Sequence, residues 1–162
     1  MKKWLWTAIA ILIALLLETA LGRLAPGGLR LFDAFLLVTV YCALTGGETH
    51  GMIAGMSAGW VQDIHFAGPV LGLSAFTKLL IGYAVGVGGG HFLIVGPAAR
   101  ALVLLLATLG DAVVFQWLAA VFDVRVLDLS PVALASRATV NAMVGAVLFE
   151  LLDRRLARRF AE

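Results

Sequence analysis

The feature that most constrains this chain is a series of long apolar runs separated by short breaks rich in glycine and proline. Of its 162 residues, 62% are apolar and 14% are charged, and the mean hydropathy is +1.01. An ordinary soluble domain is about 45–50% apolar and about 25% charged, and a small domain buries only part of its surface. The composition therefore excludes a water-soluble enzyme, a disordered tail and a basic nucleic-acid-binding module.

Six apolar segments fill almost the whole chain and leave no loop long enough for a soluble domain. Their residue ranges are about 4–22, 31–45, 49–66, 71–92, 98–122 and 131–152. Because a spanning helix needs about 20 apolar residues, the sequence predicts an all-α integral membrane protein with six transmembrane helices in one domain.

Lysines and arginines in the loops predict the orientation, since they concentrate on the cytoplasmic side. With the N-terminus inside, the cytoplasmic side carries Lys2, Lys3, Arg100, Arg154, Arg155, Arg158 and Arg159, against Arg23, Arg30 and Arg125 outside. Both termini are therefore predicted to be cytoplasmic. The basic C-terminal tail either fixes this topology alone or also contacts anionic lipid or a cytoplasmic partner.

Two predicted spans carry glycines at four-residue spacing, which places each set on one helical face. They are Gly51, Gly55 and Gly59 in span 3, and Gly82, Gly86 and Gly90 in span 4. Small residues let membrane helices approach closely. This glycine-zipper pattern predicts either packing of span 3 against span 4 or a docking surface for a helix of another membrane protein.

Three charged residues fall deep inside predicted spans, where charges are costly and usually face the protein interior as pairs. A rise of about 1.5 Å per residue puts Lys78 and Arg137 roughly 10 Å below the outer ends of their spans. It puts Asp111 roughly 20 Å from the cytoplasmic end of a core about 30 Å thick. Because these depths coincide, we predict that Asp111 pairs with Lys78, Arg137 or both.

A second charged group is predicted near the outer surface, where Glu18, Asp33 and Asp63 occur with Arg23 and Arg30 close by in sequence. Two interpretations stay open for it. The group either supplies ion pairs and helix caps that hold spans 1 to 3 together, or it lines a polar recess that faces outward.

Catalytic and metal-binding signals are weak. The three histidines, His50, His65 and His91, have none of the spacings of helical metal sites. The single Cys42 lies in an apolar run and is predicted to be a small buried side chain. We therefore expect no enzyme activity, no metal and no cofactor.

The stretch from Asp33 to Tyr83 carries a recognisable pattern. Asp33 opens a short span, and a glycine-rich span ends in Gln62-Asp63. Gly68-Pro69-Val70-Leu71-Gly72 follows, and then Gly82-Tyr83. This pattern resembles that of MreD, a small polytopic protein of the bacterial rod-shape system. The matching positions are Asp33, Gly55, Gly59, Gln62, Asp63, Gly68, Gly72 and Tyr83, while Phe32 stands where the family usually has proline.

The resemblance implies a non-enzymatic scaffold of the elongation complex in the bacterial cytoplasmic membrane. Proteins of this family associate with MreC, and through it with MreB, RodA and a class B penicillin-binding protein, to organise lateral peptidoglycan synthesis. The resemblance also implies a fold similar to the substrate-binding subunits of energy-coupling-factor vitamin transporters. It assigns no role to any individual residue.

Two alternative functions remain open. Six spans and an outward polar recess would also suit a vitamin-binding transporter subunit, although a ligand pocket should hold convergent polar groups. An ion or proton carrier would use Lys78, Asp111 and Arg137, but pairing among these residues explains them equally well.

Overall fold

The structure is a computed structural model, and it describes residues 2–24, 32–66, 70–91, 96–124 and 130–159. Every regular element in these ranges is an α-helix. The helices are α1 (Lys2–Leu24), α2 (Ala34–His65), α3 (Leu73–His91), α4 (Pro97–Val121) and α5 (Pro131–Arg159). Residues 67–69, which include Gly68, lie outside the described ranges, as do Arg30, Arg125 and the side chains of the basic tail.

The described residues form five helices, whereas the sequence predicts six, because predicted spans 2 and 3 both fall within α2. The backbone is not helical at Gly47, which has φ +80°. A Cβ atom on Gly51 would touch Ala43, and one on Gly55 would touch Thr39. A straight helix separates residues eight positions apart by about 12 Å, so α2 folds back at Gly47 and its two halves, residues 34–46 and 48–65, lie side by side.

In the part of the chain that the structure describes, four helices are long and apolar enough to cross a membrane, which makes the chain a multi-pass membrane protein. They cover Lys3–Leu24, Leu73–His91, Pro97–Val121 and Pro131–Leu152. Helix α2 is not among them, since the polar run Gly46-Gly47-Glu48-Thr49-His50 interrupts it. Large apolar side chains are exposed along these helices, among them Leu12, Leu106 and Val147, as a lipid-facing surface requires.

The first half of α2 is the centre of the bundle. Phe35, Leu36, Thr39 and Val40 are fully buried. One side of this segment packs against apolar residues of α3, α4 and α5, and the other side packs against α1 and the second half of α2. Asp33, the N-cap residue of α2, therefore lies in the middle of the protein.

Candidate functional site

The most unusual feature of the structure is a cluster of buried charges around Asp33. The Lys78 ammonium donates a hydrogen bond to Asp33 Oδ2 at 3.0 Å, and the Arg137 guanidinium donates to the same oxygen at 2.7 Å. The Asp33 and Lys78 side chains are only 1% and 2% exposed, and that of Arg137 is 18% exposed. One carboxylate thus joins α3 and α5 to the start of α2.

Asp111 is the fourth member of this cluster but is held more loosely. Its Oδ1 lies 3.7 Å from Lys78 Nζ, and its Oδ2 lies 3.9 Å from Arg137 Nη2. These are ion-pair distances beyond the range of a direct hydrogen bond. The structure thus brings together the three residues predicted to pair, and it adds Asp33 as their tighter partner.

The sequence pattern groups Asp33 with the outer rim, and this grouping does not reveal its bonds to Lys78 and Arg137. A usable signal was the length of the predicted segment. The first half of α2 has 13 residues and is therefore about 20 Å long, against a hydrocarbon core of about 30 Å. A helix this short, followed by a sharp reversal, must begin inside the membrane, so its N-cap residue lies at the depth of the intramembrane charges.

Three side chains satisfy the backbone N–H groups at the buried start of α2. Asp33 N–H donates to Asn141 Oδ1 at 3.1 Å, Ala34 N–H to Glu18 Oε1 at 2.8 Å, and Leu36 N–H to Asp33 Oδ1 at 2.8 Å. A helix leaves its first N–H groups without internal partners, and in lipid there is no water to bond them. Residues of α1 and α5 therefore complete this helix end.

Asp63 does the same for α3. Its Oδ2 accepts backbone hydrogen bonds from Gly72 at 2.9 Å, Ser74 at 3.1 Å and Ala75 at 3.4 Å. Gly72 has φ +97°, a conformation that side chains disfavour. Asp63, near the end of α2, therefore caps the start of α3, and glycine at position 72 allows the backbone conformation that this cap requires.

The acidic residues predicted at the outer rim are thus buried and form hydrogen bonds within the fold. Glu18, Asp33 and Asp63 are each at least 97% buried and accept backbone N–H groups. Arg23 is exposed. Of the two open interpretations, the contacts of these residues correspond to caps and ion pairs rather than to an open polar recess.

Replacing Asp63 by alanine should loosen the first turn of α3. Loss of a capping side chain costs about 1 kcal/mol and up to about 2 kcal/mol. We expect faster hydrogen exchange at the amides of Gly72, Ser74 and Ala75 in Asp63→Ala, measured on the protein in detergent or nanodiscs. Gln62→Ala, one residue earlier, is the matched control, and equal exchange in the two variants would contradict the capping role.

Five of the six zipper glycines lie in the contact between the second half of α2 and α3. Gly51 and Gly82 face each other's backbone. A Cβ on Gly55 would meet the Lys78 backbone. The two remaining pairings are Gly59 with Ser74 and Ala75, and Gly86 with Gly47 and Glu48. Internal packing accounts for these five, while Gly90 has open space around it.

The remaining pattern residues lie away from the charge cluster. The Tyr83 side chain is exposed on α3, and Gln62 is partly buried, with an Oε1 atom that is enclosed and has no hydrogen-bond partner. Neither residue forms a hydrogen bond or an ion pair with Asp33. The structure therefore brings Asp33 and the intramembrane charges together, and it does not join Gln62 or Tyr83 to them by such bonds.

Two histidines tie α1 to the second half of α2. His50 Nε2 lies 2.9 Å from Thr7 Oγ1, and His65 Nε2 lies 3.0 Å from Thr19 Oγ1. Each threonine hydroxyl also lies within hydrogen-bond distance of the carbonyl four residues earlier, that of Lys3 for Thr7 and of Leu15 for Thr19. Among the residues that the structure describes, no group of three potential ligands could hold a metal ion.

A cavity of about 540 Å³ lies between α3 and α4. All of its lining residues are apolar or glycine, including Ile81, Val85, Leu102 and Leu106. A site for a vitamin-sized ligand needs a few polar groups that converge on the ligand. This cavity offers none, so it lends no support to a vitamin-binding subunit.

No protein-family model, curated protein or solved structure matches this chain.

Proposed function

We propose that this chain is a non-catalytic membrane scaffold of the MreD type. The observation that carries the proposal is that residues of the MreD-like pattern serve to join helices to one another. Asp33 links α2 to α3 and α5, Asp63 caps α3, and Gly55 and Gly59 seat α2 against α3. A pattern whose residues join the helices of the chain to one another suits a protein that presents a fixed structure to its partners.

In this proposal the chain crosses the bacterial cytoplasmic membrane six times, with both termini inside and the two halves of α2 counted separately. The fold-back at Gly47 supports that count. Similarity to the energy-coupling-factor subunits remains an implication of the family resemblance. The main partner is an MreC-like protein, through which MreB, RodA and a class B penicillin-binding protein join the same complex.

The partner is expected to dock on the lipid-facing surface, because five of the zipper glycines are already covered by the chain itself. Exposed apolar side chains such as Leu12 and Val147 can contact a partner helix as readily as lipid. Membrane helices associate through close packing and interhelical hydrogen bonds. The scaffold would thus hold its partner without opening its own core.

Co-purification tests the proposal. The tagged full-length chain is co-expressed with an MreC-like protein from a rod-shaped bacterium and extracted in mild detergent. We expect the MreC-like protein to be retained and a tagged unrelated single-span protein to be lost. Absence of retention by a chain with intact helical content would contradict the scaffold.

Two other experiments address the alternative functions. A saturable rise in Tm with a vitamin would favour the transporter subunit. Ion or proton flux in liposomes that Asp111→Asn abolishes would favour a carrier.

A further inference from the structure

Five ionisable side chains, one associated with each helix, meet around the start of α2. They are Glu18 on α1, Asp33 before α2, Lys78 on α3, Asp111 on α4 and Arg137 on α5. Glu18 belongs to the group because it accepts the N–H of Ala34, the residue next to Asp33. The group therefore contains three carboxyls but only two permanent cations.

The two cations are already occupied by the two aspartates. Asp33 Oδ2 accepts hydrogen bonds from both Lys78 and Arg137, and Asp111 lies within 4 Å of both. Asp111 Oδ1 nevertheless has no hydrogen-bond partner. Water does not replace one, because this oxygen is buried and the whole side chain is only 7% exposed. The cations thus do not fully satisfy even the second aspartate, and none is left over for a third carboxylate.

Glu18 is consequently the uncompensated member. It is 97% buried, and in the part of the chain that the structure describes no basic side chain forms an ion pair with it. The positive amino end of α2 is already faced by the Asp33 carboxylate. An isolated buried carboxylate is so costly in a medium of low dielectric constant that it takes up a proton instead.

We propose that Glu18 is a proton-binding site and that it stands as a neutral carboxylic acid within the cluster at neutral pH. The proton leaves the carbonyl oxygen free to accept the Ala34 N–H, so the observed hydrogen bond is retained. It also brings the cluster to zero net charge, with two aspartates balancing Lys78 and Arg137. Proton binding at Glu18 does not depend on the proposed scaffold function.

Infrared spectroscopy of the full-length chain in nanodiscs at pH 7 tests this assignment. A protonated carboxyl gives a carbonyl band above the amide I band, and we expect one such band per chain. Carboxyl-¹³C glutamate should shift it to lower frequency, whereas carboxyl-¹³C aspartate should not. A shift with labelled aspartate, or no such band in the unlabelled wild-type chain, would overturn the proposal without requiring any variant to fold.

Variants then identify which glutamate carries the proton. Glu18→Gln should abolish the band, while Glu48→Gln and Glu150→Gln should keep it. The side-chain amide that Glu18→Gln introduces can still accept the Ala34 N–H, so the variant preserves the contact between α1 and α2. A band that persists in folded Glu18→Gln would overturn the assignment to Glu18.

Discussion

Gly55→Ala should severely destabilise this protein even though alanine is the better helix former. A Cβ at residue 55 would collide with the backbone carbonyl of Lys78 on one side and lie against the Thr39 methyl on the other. Backbone atoms cannot move aside as a flexible side chain can, so α3 would have to separate from α2. We expect a loss of about 3 kcal/mol or more in the free energy of unfolding, at or beyond the upper end of ordinary overpacking.

Gly88→Ala is the matched control for this substitution. Gly88 also lies within a helix, but a Cβ there would meet nothing within 4 Å. Alanine in a helix interior is favoured over glycine by about 0.5–1 kcal/mol, so this variant should be as stable as the wild type or slightly more stable. Thermal unfolding of both variants in the same detergent measures the difference, and equal Tm values would contradict close packing at Gly55.

Helices α1, α3, α4 and α5 could be predicted from the sequence, because lipid demands continuous apolar runs and glycine or proline marks many of their ends. The prediction of two separate helices for spans 2 and 3 is wrong, since both fall within α2. The meeting of Lys78, Asp111 and Arg137 was also predictable, since depth in a membrane follows directly from residue count. Arginine and lysine cannot face lipid cheaply, which confines them to the interior at that depth.

The function of the glycine stripes could not be decided from the sequence. Spacing places Gly51, Gly55 and Gly59 on one face, but an internal helix and a partner's helix would use that face in the same way. The fold-back at Gly47 decides which helix covers it, and that reversal depends on one backbone dihedral in a polar run. Asp63 was visible as a polar residue, yet its role required the tertiary position of Gly72.

Asp33→Asn should be the most damaging single change in the charge cluster. It leaves Lys78 and Arg137 buried with only Asp111 as counter-charge, 3.7 and 3.9 Å away. Removing one partner of a buried ion pair typically costs about 3–5 kcal/mol. Asp111→Asn breaks only these longer contacts and keeps the hydrogen bonds that Asp33 accepts, so its loss in the free energy of unfolding should be clearly smaller.

A double-mutant cycle separates the ion pair from the other duties of Asp33. Asparagine keeps a side-chain oxygen that can cap the Leu36 N–H, so Asp33→Asn removes the charge and the two hydrogen bonds that Oδ2 accepts from Lys78 and Arg137 but leaves the cap in place. If charge is the reason for the loss, Lys78→Met should restore part of the stability of Asp33→Asn, because it removes the uncompensated cation. The coupling energy from unfolding of the two single variants and the double variant measures this. Strictly additive losses would mean that the ion pair between Asp33 and Lys78 contributes nothing to the stability of the bundle, and would contradict its proposed weight in the cluster.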